Sequence, residues 1–215
     1  MRGDWQPGGA TDPPGTNDFS NRADRQRMQT FAADGAPRES LSDALGTTDV
    51  AINRYRLAPG EGLPSGLHVH IDQEEVFLVL DGTVTFETLS EPVVVDAGEA
   101  IRFAPGEYQT GANEGPSPAT VLAVGAPKGS ENVRVPLDCP DCSHRGLSPE
   151  WADGGVLLAC PDCGSEHRTR GCPACEREEM QVTSGEREGE TVVVCPDCGA
   201  ERAKPWWASS GDDVE

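Results

Sequence analysis

The placement of the cysteines constrains the fold more than any other feature of this chain. The sequence of 215 residues contains eight cysteines, all after residue 138 and all in C-x-x-C pairs. The pairs are Cys139/Cys142, Cys160/Cys163, Cys172/Cys175 and Cys195/Cys198. In a reducing compartment, such pairs favour metal ligation over disulfides. The part of the chain after residue 138 is therefore predicted to form small modules that metal ions stabilise.

An internal repeat indicates how the pairs combine. Residues 155–168 resemble residues 190–203, each with an apolar run followed by C-P-D-C-G. Gly164 and Gly199 follow the second pair of each copy, which favours joining 139/142 with 160/163 and 172/175 with 195/198. Four thiolates at about 2.3 Å fill the coordination sphere of tetrahedral zinc, so both centres are predicted to be structural.

These modules resemble the C-P-x-C-G zinc ribbons common in small archaeal proteins. Two alternatives remain at this stage: disulfides, and redox pairs of the thioredoxin type, although no strand–helix context surrounds the motifs. His144 and His167 lie beside the cysteine pairs and could replace a ligand.

The middle of the chain is predicted to be β structure. Short runs of β-forming residues, separated by turn signals, lie at residues 50–57, 75–80, 83–88, 92–95, 100–103 and 120–124. Asp81-Gly82 between two of these runs predicts a tight hairpin. Many short strands without intervening helices indicate an antiparallel sandwich or barrel.

A histidine–glutamate motif lies within these strands. His68 and His70 are two residues apart, so an extended strand places them on one face. Glu75 opens the next predicted strand, and one carboxylate with two imidazoles can form a facial metal triad with open positions. Glu74 would replace Glu75 if the register moved by one residue. We expect Val69, Val76, Leu78 and Leu80 to form a dry shell around the site.

The spacing of these residues resembles the first motif of the cupin superfamily. It comprises the following positions: Gly62, His68, His70, Glu75 and Gly82. A second motif follows, with two departures, at Gly98, Ala104, Gly106, Gln109 and Asn113. The resemblance covers residues 41 to 127 and implies a double-stranded β-helix, or jelly-roll, barrel around one divalent first-row metal (Mn, Fe, Ni or Zn).

Gln109 stands where family members usually place a histidine as the fourth protein ligand. An amide oxygen is a weaker and harder donor than imidazole, which favours Mn, Fe or another oxygen-tolerant ion. Two roles are open for Gln109: direct ligation, or a hydrogen bond to a bound water or substrate. Arg102 and Tyr108, near the second motif, could contact an anionic substrate.

The charge balance restricts the partners. The formal net charge is −20, from 17 Lys+Arg and 37 Asp+Glu, and only Lys128 and Lys204 are lysines. This balance opposes ordinary nucleic-acid binding and is typical of halophilic proteins. The chain contains no apolar stretch of the ~20 residues that a membrane span needs and no secretory signal, so a cytoplasmic location is predicted.

The predicted organisation is mainly β: a jelly-roll cupin barrel followed by tandem zinc ribbons. The five predicted segments are a disordered segment 1–38, the barrel 39–132, zinc ribbon 1 at 133–170, zinc ribbon 2 at 171–204 and an acidic tail 205–215. The predicted cofactors are the barrel metal and two zinc ions.

Three functions fit this organisation. The first is a metal-dependent enzyme, of oxygenase or isomerase type, acting on a small polar or anionic metabolite. The second is a non-catalytic sensor or scaffold whose ribbons bind a protein or nucleic acid. In the third, the barrel metal is only structural. A homodimer formed through an edge strand is compatible with all three.

Overall fold

The computed structural model describes residues 30–32, 37–152, 155–178, 180–187 and 189–202. Most of the predicted N-terminal segment 1–38 and all of the predicted acidic tail 205–215 lie outside this range. The described chain is mainly β structure with one short helix. No helix in the described ranges is long and apolar enough to cross a membrane.

The elements before residue 127 are called here the N-terminal unit. They are β1 (Thr30–Ala32), β2 (Pro37–Ser40), α1 (Leu41–Leu45), β3 (Ala51–Leu57), β4 (Val69–His70), β5 (Glu74–Asp81), β6 (Thr83–Glu87), β7 (Val93–Asp96), β8 (Ala100–Phe103), β9 (Thr110–Ala112) and β10 (Ala119–Ala126). The six predicted strands match β3, β5, β6, β7, β8 and β10 within about two residues. The antiparallel pair β1–β2 was not predicted.

Two antiparallel sheets enclose the core of the N-terminal unit. One has the strand order β1-β2-β3-β10-β5-β8 and the other β7-β6-β9. Alternate residues point inward, as in β10, where residues 119, 121, 123 and 125 are buried. Phe77, Phe86 and Phe103 meet in this core with ring centroids 5.0 to 6.0 Å apart. Burial of apolar side chains from both sheets stabilises this unit.

The chain then forms two smaller units, which carry the cysteines. The first cysteine module comprises β11 (Val133–Asp138), β12 (Arg145–Ala152), β13 (Gly155–Ala159) and β14 (Glu166–Arg168). The second cysteine module comprises β15 (Gln181–Ser184), β16 (Thr191–Val194) and β17 (Glu201–Arg202). β11 pairs with β4 of the N-terminal unit, so one sheet crosses position 132/133, where a domain boundary was predicted.

Both modules pack on each other and on the N-terminal unit. Val135, Leu158, Val182 and Val193 belong to one buried cluster that includes residues of both modules. The Glu87 carboxylate of β6 accepts hydrogen bonds from the hydroxyls of Thr183 and Ser184 in β15. The second module is therefore held against the N-terminal unit by side-chain contacts of residues nearly one hundred positions apart.

The prediction of a tight hairpin at Asp81-Gly82 is wrong. β5 pairs with β10 and β8, whereas β6 pairs with β7 and β9, so the chain passes at this point from one sheet to the other. Gly82 has φ of 76°. Glycine's freedom at positive φ permits a sharp corner as well as a hairpin, and the local sequence does not distinguish the two.

A side chain added at the Gly82 corner is expected to destabilise the fold strongly. A Cβ there would lie 2.7 Å from the Pro118 carbonyl oxygen and 2.8 Å from Ala119 Cα. We expect Gly82→Ala to lower the free energy of unfolding by about 2–4 kcal/mol, because the left-handed conformation and the steric overlap both cost energy.

Gly98→Ala is the matched control in denaturant unfolding. Gly98 has φ of 90° but no atom within 4 Å of an added Cβ, so only the conformational cost of about 1–2 kcal/mol is expected. Equal losses in the two variants would contradict the steric account of the corner.

Candidate metal centre and cavity

Two imidazoles face each other at the edge of the N-terminal unit. His70 lies in β4, and His68 precedes that strand in an isolated bridge with Gln109. The His68 Nε2 and His70 Nε2 atoms are 3.2 Å apart. As the two-residue spacing predicts, both rings point to the same side.

Hydrogen bonds at the far side of each ring determine which nitrogen carries the proton. His68 Nδ1 lies 2.8 Å from the Gly66 carbonyl oxygen, which can only accept a hydrogen bond. His70 Nδ1 lies 2.8 Å from Ser130 Oγ, and that hydroxyl donates its own proton to Asp72 Oδ1. Nδ1 is therefore the protonated nitrogen in both neutral rings, which leaves an unprotonated Nε2 on each ring at the short N···N contact.

Two unprotonated nitrogens this close repel each other unless one cation binds both. Burial lowers the pKa of His68, and burial with the neighbouring His68 lowers the pKa of His70 to about 4. Both rings are thus neutral near pH 7. The N···N separation suits two cis ligands at ~2.1 Å from one ion, which would be about 3.0–3.4 Å apart.

Glu75 completes the cluster. Its Oε2 lies 3.6 Å from His70 Nε2, and the candidate ligand atoms of His68, His70 and Glu75 all lie within 4.8 Å of one another. The side chain is 17% exposed, and burial raises its pKa to about 7. A largely buried carboxylate beside two unprotonated imidazole nitrogens is a donor set that a divalent cation satisfies.

The register of β5 decides between Glu74 and Glu75. Glu75 shares its face with the buried Phe77 and Val79, whereas Glu74 points outward and pairs with Arg102. Arg102 therefore contacts Glu74 on the outward face instead of the site. The expected dry shell is also wrong in part: Val76, Leu78 and Leu80 lie on the outward face with Glu74, because strand side chains alternate with period two.

Gln109 is buried beside the cluster, but its amide nitrogen faces the site. Nε2 donates to Glu75 Oε2 at 2.7 Å and lies 3.4 Å from His68 Nε2. Its Oε1 is buried without a hydrogen-bond partner. A half-turn of the amide would direct this oxygen into the cluster, so the side chain fits either a ligand or a hydrogen-bond donor. Tyr108 does not line the cavity described below.

Sequence reasoning missed Ser130 and Asp72. Asp72 lies in the turn after β4, and Ser130 lies 58 residues further along, in the loop that leads to β11. The Asp72 carboxylate accepts from Ser130 Oγ and also from the Glu131 backbone N–H. These contacts orient His70 from behind, and no local sequence pattern relates them.

A cavity of about 640 Å³ opens beside the cluster. His68, His70, Glu75 and Gln109 are among the residues that line it. Residues of both cysteine modules, among them Leu158 and Val182, line it as well. The volume lies within the usual range of small-molecule sites.

The cysteines gather in the two predicted groups of four. They are Cys139, Cys142, Cys160 and Cys163 in one group, and Cys172, Cys175, Cys195 and Cys198 in the other. Across each group the sulfurs approach to 3.5–3.7 Å. Tetrahedral ligands at about 2.3 Å would be ~3.8 Å apart, so both groups are compatible with a metal ion. All eight are free thiols rather than disulfides.

His167 lies at the edge of the first group. Its Nε2 is 3.9 Å from Cys139 Sγ and 3.7 Å from Asp141 Oδ2. The Cys163 sulfur, at 3.7 Å, lies closer to the Cys139 sulfur than His167 Nε2 does. The four sulfurs therefore make the more compact ligand set, and His167 borders it.

Residues 53–125 match the protein family described as "Cupin domain". The match covers about a third of the chain and includes His68, His70, Glu75 and Gln109. It supports assignment of the N-terminal unit to the cupin superfamily. No curated protein matches the chain.

Three solved structures resemble part of the chain. A sugar phosphate isomerase of the cupin superfamily from Silicibacter pomeroyi is 19% identical, with TM-score 0.44, covering 66% of this chain and 88% of its own. The polyketide cyclase RemF from Streptomyces resistomycificus is 22% identical, with TM-score 0.45, covering 54% and 85%. A predicted oxalate decarboxylase from Thermotoga maritima is 23% identical, with TM-score 0.41, covering 47% and 94%. None of the three identifies a substrate for this chain.

The buried carboxyl group of Glu75 predicts a pH-dependent stability. Its pKa rises from 4.5 to about 7 on folding. The contribution of this group to the free energy of unfolding is therefore fully present below pH 4.5 and is lost as the pH rises through 7. The loss amounts to about 3 kcal/mol. In metal-free protein we expect Glu75→Gln to gain up to about 3 kcal/mol over the native chain at pH 8, and little at pH 5.

Denaturant unfolding at the two pH values measures this gain. Glu74→Gln, on the outward face of the same strand, is the matched control and should show no comparable rise. A gain in Glu75→Gln that is the same at both pH values would contradict the burial of an ionisable group at this site.

Proposed function

We propose that this chain is a metal-dependent enzyme of oxygenase or isomerase type, because residues 53–125 match a cupin domain. The substrate is a small polar or anionic metabolite that reaches the cluster from the cavity. One observation carries the proposal: two neutral imidazoles bring their unprotonated Nε2 atoms to within 3.2 Å of each other, beside the largely buried Glu75. A divalent first-row ion (Mn, Fe, Ni or Zn) is the species that this donor set accommodates.

His68, His70 and Glu75 would hold the ion, and Gln109 would either join them or hydrogen-bond a ligand. A metal bound here would supply a Lewis acid and an open coordination position for substrate. The chain's own residues orient the imidazoles and keep water from the core side of the site. Gly66 and Ser130 hold the two rings in the required tautomer. Phe77 and Val79 make the surroundings of Glu75 dry on the core side.

The cysteine groups are proposed to hold two structural zinc ions in tandem zinc ribbons. Four thiolates leave no coordination position for substrate, so these ions would stabilise the modules rather than react. The support is the sulfur spacing and the free thiols described above. The predicted ribbon partner, homodimer, haloarchaeal origin and cytoplasmic location stay predictions of the sequence.

A non-catalytic sensor is the second candidate. The backbone N–H of Leu67, next to His68, donates to the Val182 carbonyl of the second module at 2.6 Å. The second module therefore lies directly beside the cluster, and this contact is the one through which a bound ligand would act on the module. Oxygen-uptake and isomerisation assays against small acids and diols separate the candidates: turnover that His70→Ala abolishes supports the enzyme, and binding without turnover supports the sensor.

Metal content tests the donor set itself. We expect the native chain to carry two zinc ions and about one further first-row ion that is held less tightly. His70→Ala should lose the further ion and keep both zinc ions, because the cysteine groups do not depend on His70. Elemental analysis of the purified full chain measures this.

His144→Ala is the matched control, since His144 lies outside the His68–His70–Glu75 cluster. It should keep all the ions. Equal metal content in native protein and His70→Ala, with all ions accounted for by zinc, would overturn the proposed site.

A further inference from the structure

The inner face of the larger sheet carries polar side chains on both sides of β10. On one side, β5 contributes Glu75 of the metal cluster. On the other side, β3 contributes Asn53 and Tyr55, and β2 contributes Arg38 directly opposite Tyr55. Directly opposite residues of neighbouring strands point to the same face, and Tyr55 belongs to the buried core on that face, so Arg38 points inward too. All four residues line the cavity.

Small side chains separate these two groups. In the register of the sheet, Ala123 of β10 lies between Asn53 and Phe77. Ala51 lies two residues before Asn53, on the same face of β3. Both alanines line the cavity, and a methyl group reaches only a short way from the sheet. The axes of β3 and β5 are two strand spacings, about 10 Å, apart, so a small elongated molecule can lie across β10, between Glu75 and the side chains of β2 and β3.

Arg38 offers unused hydrogen-bond donors at this cavity. Its Nε donates to Asn53 Oδ1 at 2.8 Å, which fixes the plane of the guanidinium group. Among the described residues, no carboxylate pairs with Arg38 and its Nη1 and Nη2 groups donate to no acceptor. Lys128 differs, because its ammonium group lies 3.8 Å from Asp43 Oδ1. A partly buried guanidinium group without a counter-charge favours a carboxylate or phosphate, which it can bind through two parallel hydrogen bonds.

The Tyr55 hydroxyl lies near the same place. The side chain is 9% exposed and lines the cavity, and no hydrogen bond joins its hydroxyl to another described residue. The charges of Arg38 and Glu75 both act on the pKa of Tyr55, so the hydroxyl lies within electrostatic reach of both groups. Burial is the largest effect and raises that pKa above its usual value of 10. Tyr55 is therefore a neutral O–H donor near pH 7.

We propose that the cavity binds a small dianion, with one acidic group at the metal cluster and the other held by Arg38 and Tyr55. Asn53 positions the guanidinium group for this contact. The inference rests on the proposed function for the location of the first acidic group. It deepens that function by naming the class of substrate and the two residues that select it.

Straight-chain dicarboxylates test the inference by equilibrium dialysis against the full chain loaded with Mn²⁺. Succinate, glutarate and adipate are each compared with the monocarboxylate of the same carbon number. Oxalate and malonate are left out because both of their carboxylates can bind one ion. We expect at least one dicarboxylate to bind about tenfold or more tightly than its monocarboxylate, since hydrogen bonds to a charged group contribute about 1.5–3 kcal/mol.

Variants assign this preference to the two residues. Arg38→Gln should lower it to about twofold or less, because the guanidinium charge and its paired donors are lost. Tyr55→Phe keeps the ring in the core and should lower it about threefold to tenfold, the contribution of a neutral hydrogen bond. Neither variant should change Mn²⁺ content or monocarboxylate affinity, because neither residue belongs to the His68–His70–Glu75 cluster.

Arg56→Gln is the matched control. Arg56 is exposed and alternates with Tyr55 on β3, so it lies on the outward face of the sheet. It removes the same charge from the chain and should keep the native preference for dicarboxylates.

The outcomes separate this inference from the proposed function. In protein that carries Mn²⁺, three results would each overturn the dianion alone: no preference for any dicarboxylate, an unchanged preference in Arg38→Gln, or an equal loss in Arg56→Gln. Failure of the native chain to retain Mn²⁺ would overturn the proposed function. The expected result is retained Mn²⁺ with a dicarboxylate preference that Arg38→Gln removes and Arg56→Gln keeps.

Discussion

The site depends on the direction in which two imidazole lone pairs point. The Gly66 carbonyl and the Ser130 hydroxyl occupy the Nδ1 sides of His68 and His70, so both unprotonated nitrogens face the same small space. Burial keeps both rings neutral and disfavours the charge on Glu75. Such an arrangement is costly for the protein alone, and a cation removes the cost. The β sheets, the Asp72–Ser130 contact and the cavity all serve to hold this arrangement or give access to it.

The sequence predicted the parts of the site that strand periodicity determines. His68 and His70 share a face because they are two residues apart. The spacing of the cupin motif favours Glu75 over Glu74, and in the structure Glu75 faces inward in phase with Phe77. The cysteine groups were predictable for a similar reason, since paired ligands at short spacing and a repeated glycine define the groups. In each case a local rule was enough.

The sequence could not predict what depends on distant packing. The Gly82 corner was mistaken for a hairpin, since glycine permits both and the choice depends on the partners of β5 and β6. Ser130 contacts His70 across 60 residues, and Glu87 contacts Thr183 across 96. Part of the cavity wall comes from both cysteine modules, which pack beside the N-terminal unit. These contacts orient His70 and hold the second module in place, and no local sequence motif predicts them.

The most direct test of this account is the nitrogen coordination of the bound ion. Electron spin echo envelope modulation of the Mn²⁺-loaded chain reports ¹⁴N nuclei of directly bound imidazoles. The account predicts modulation from two imidazole nitrogens in the native chain and from one in His68→Ala. A native spectrum without directly coordinated nitrogen, in protein that holds stoichiometric Mn²⁺, would contradict it.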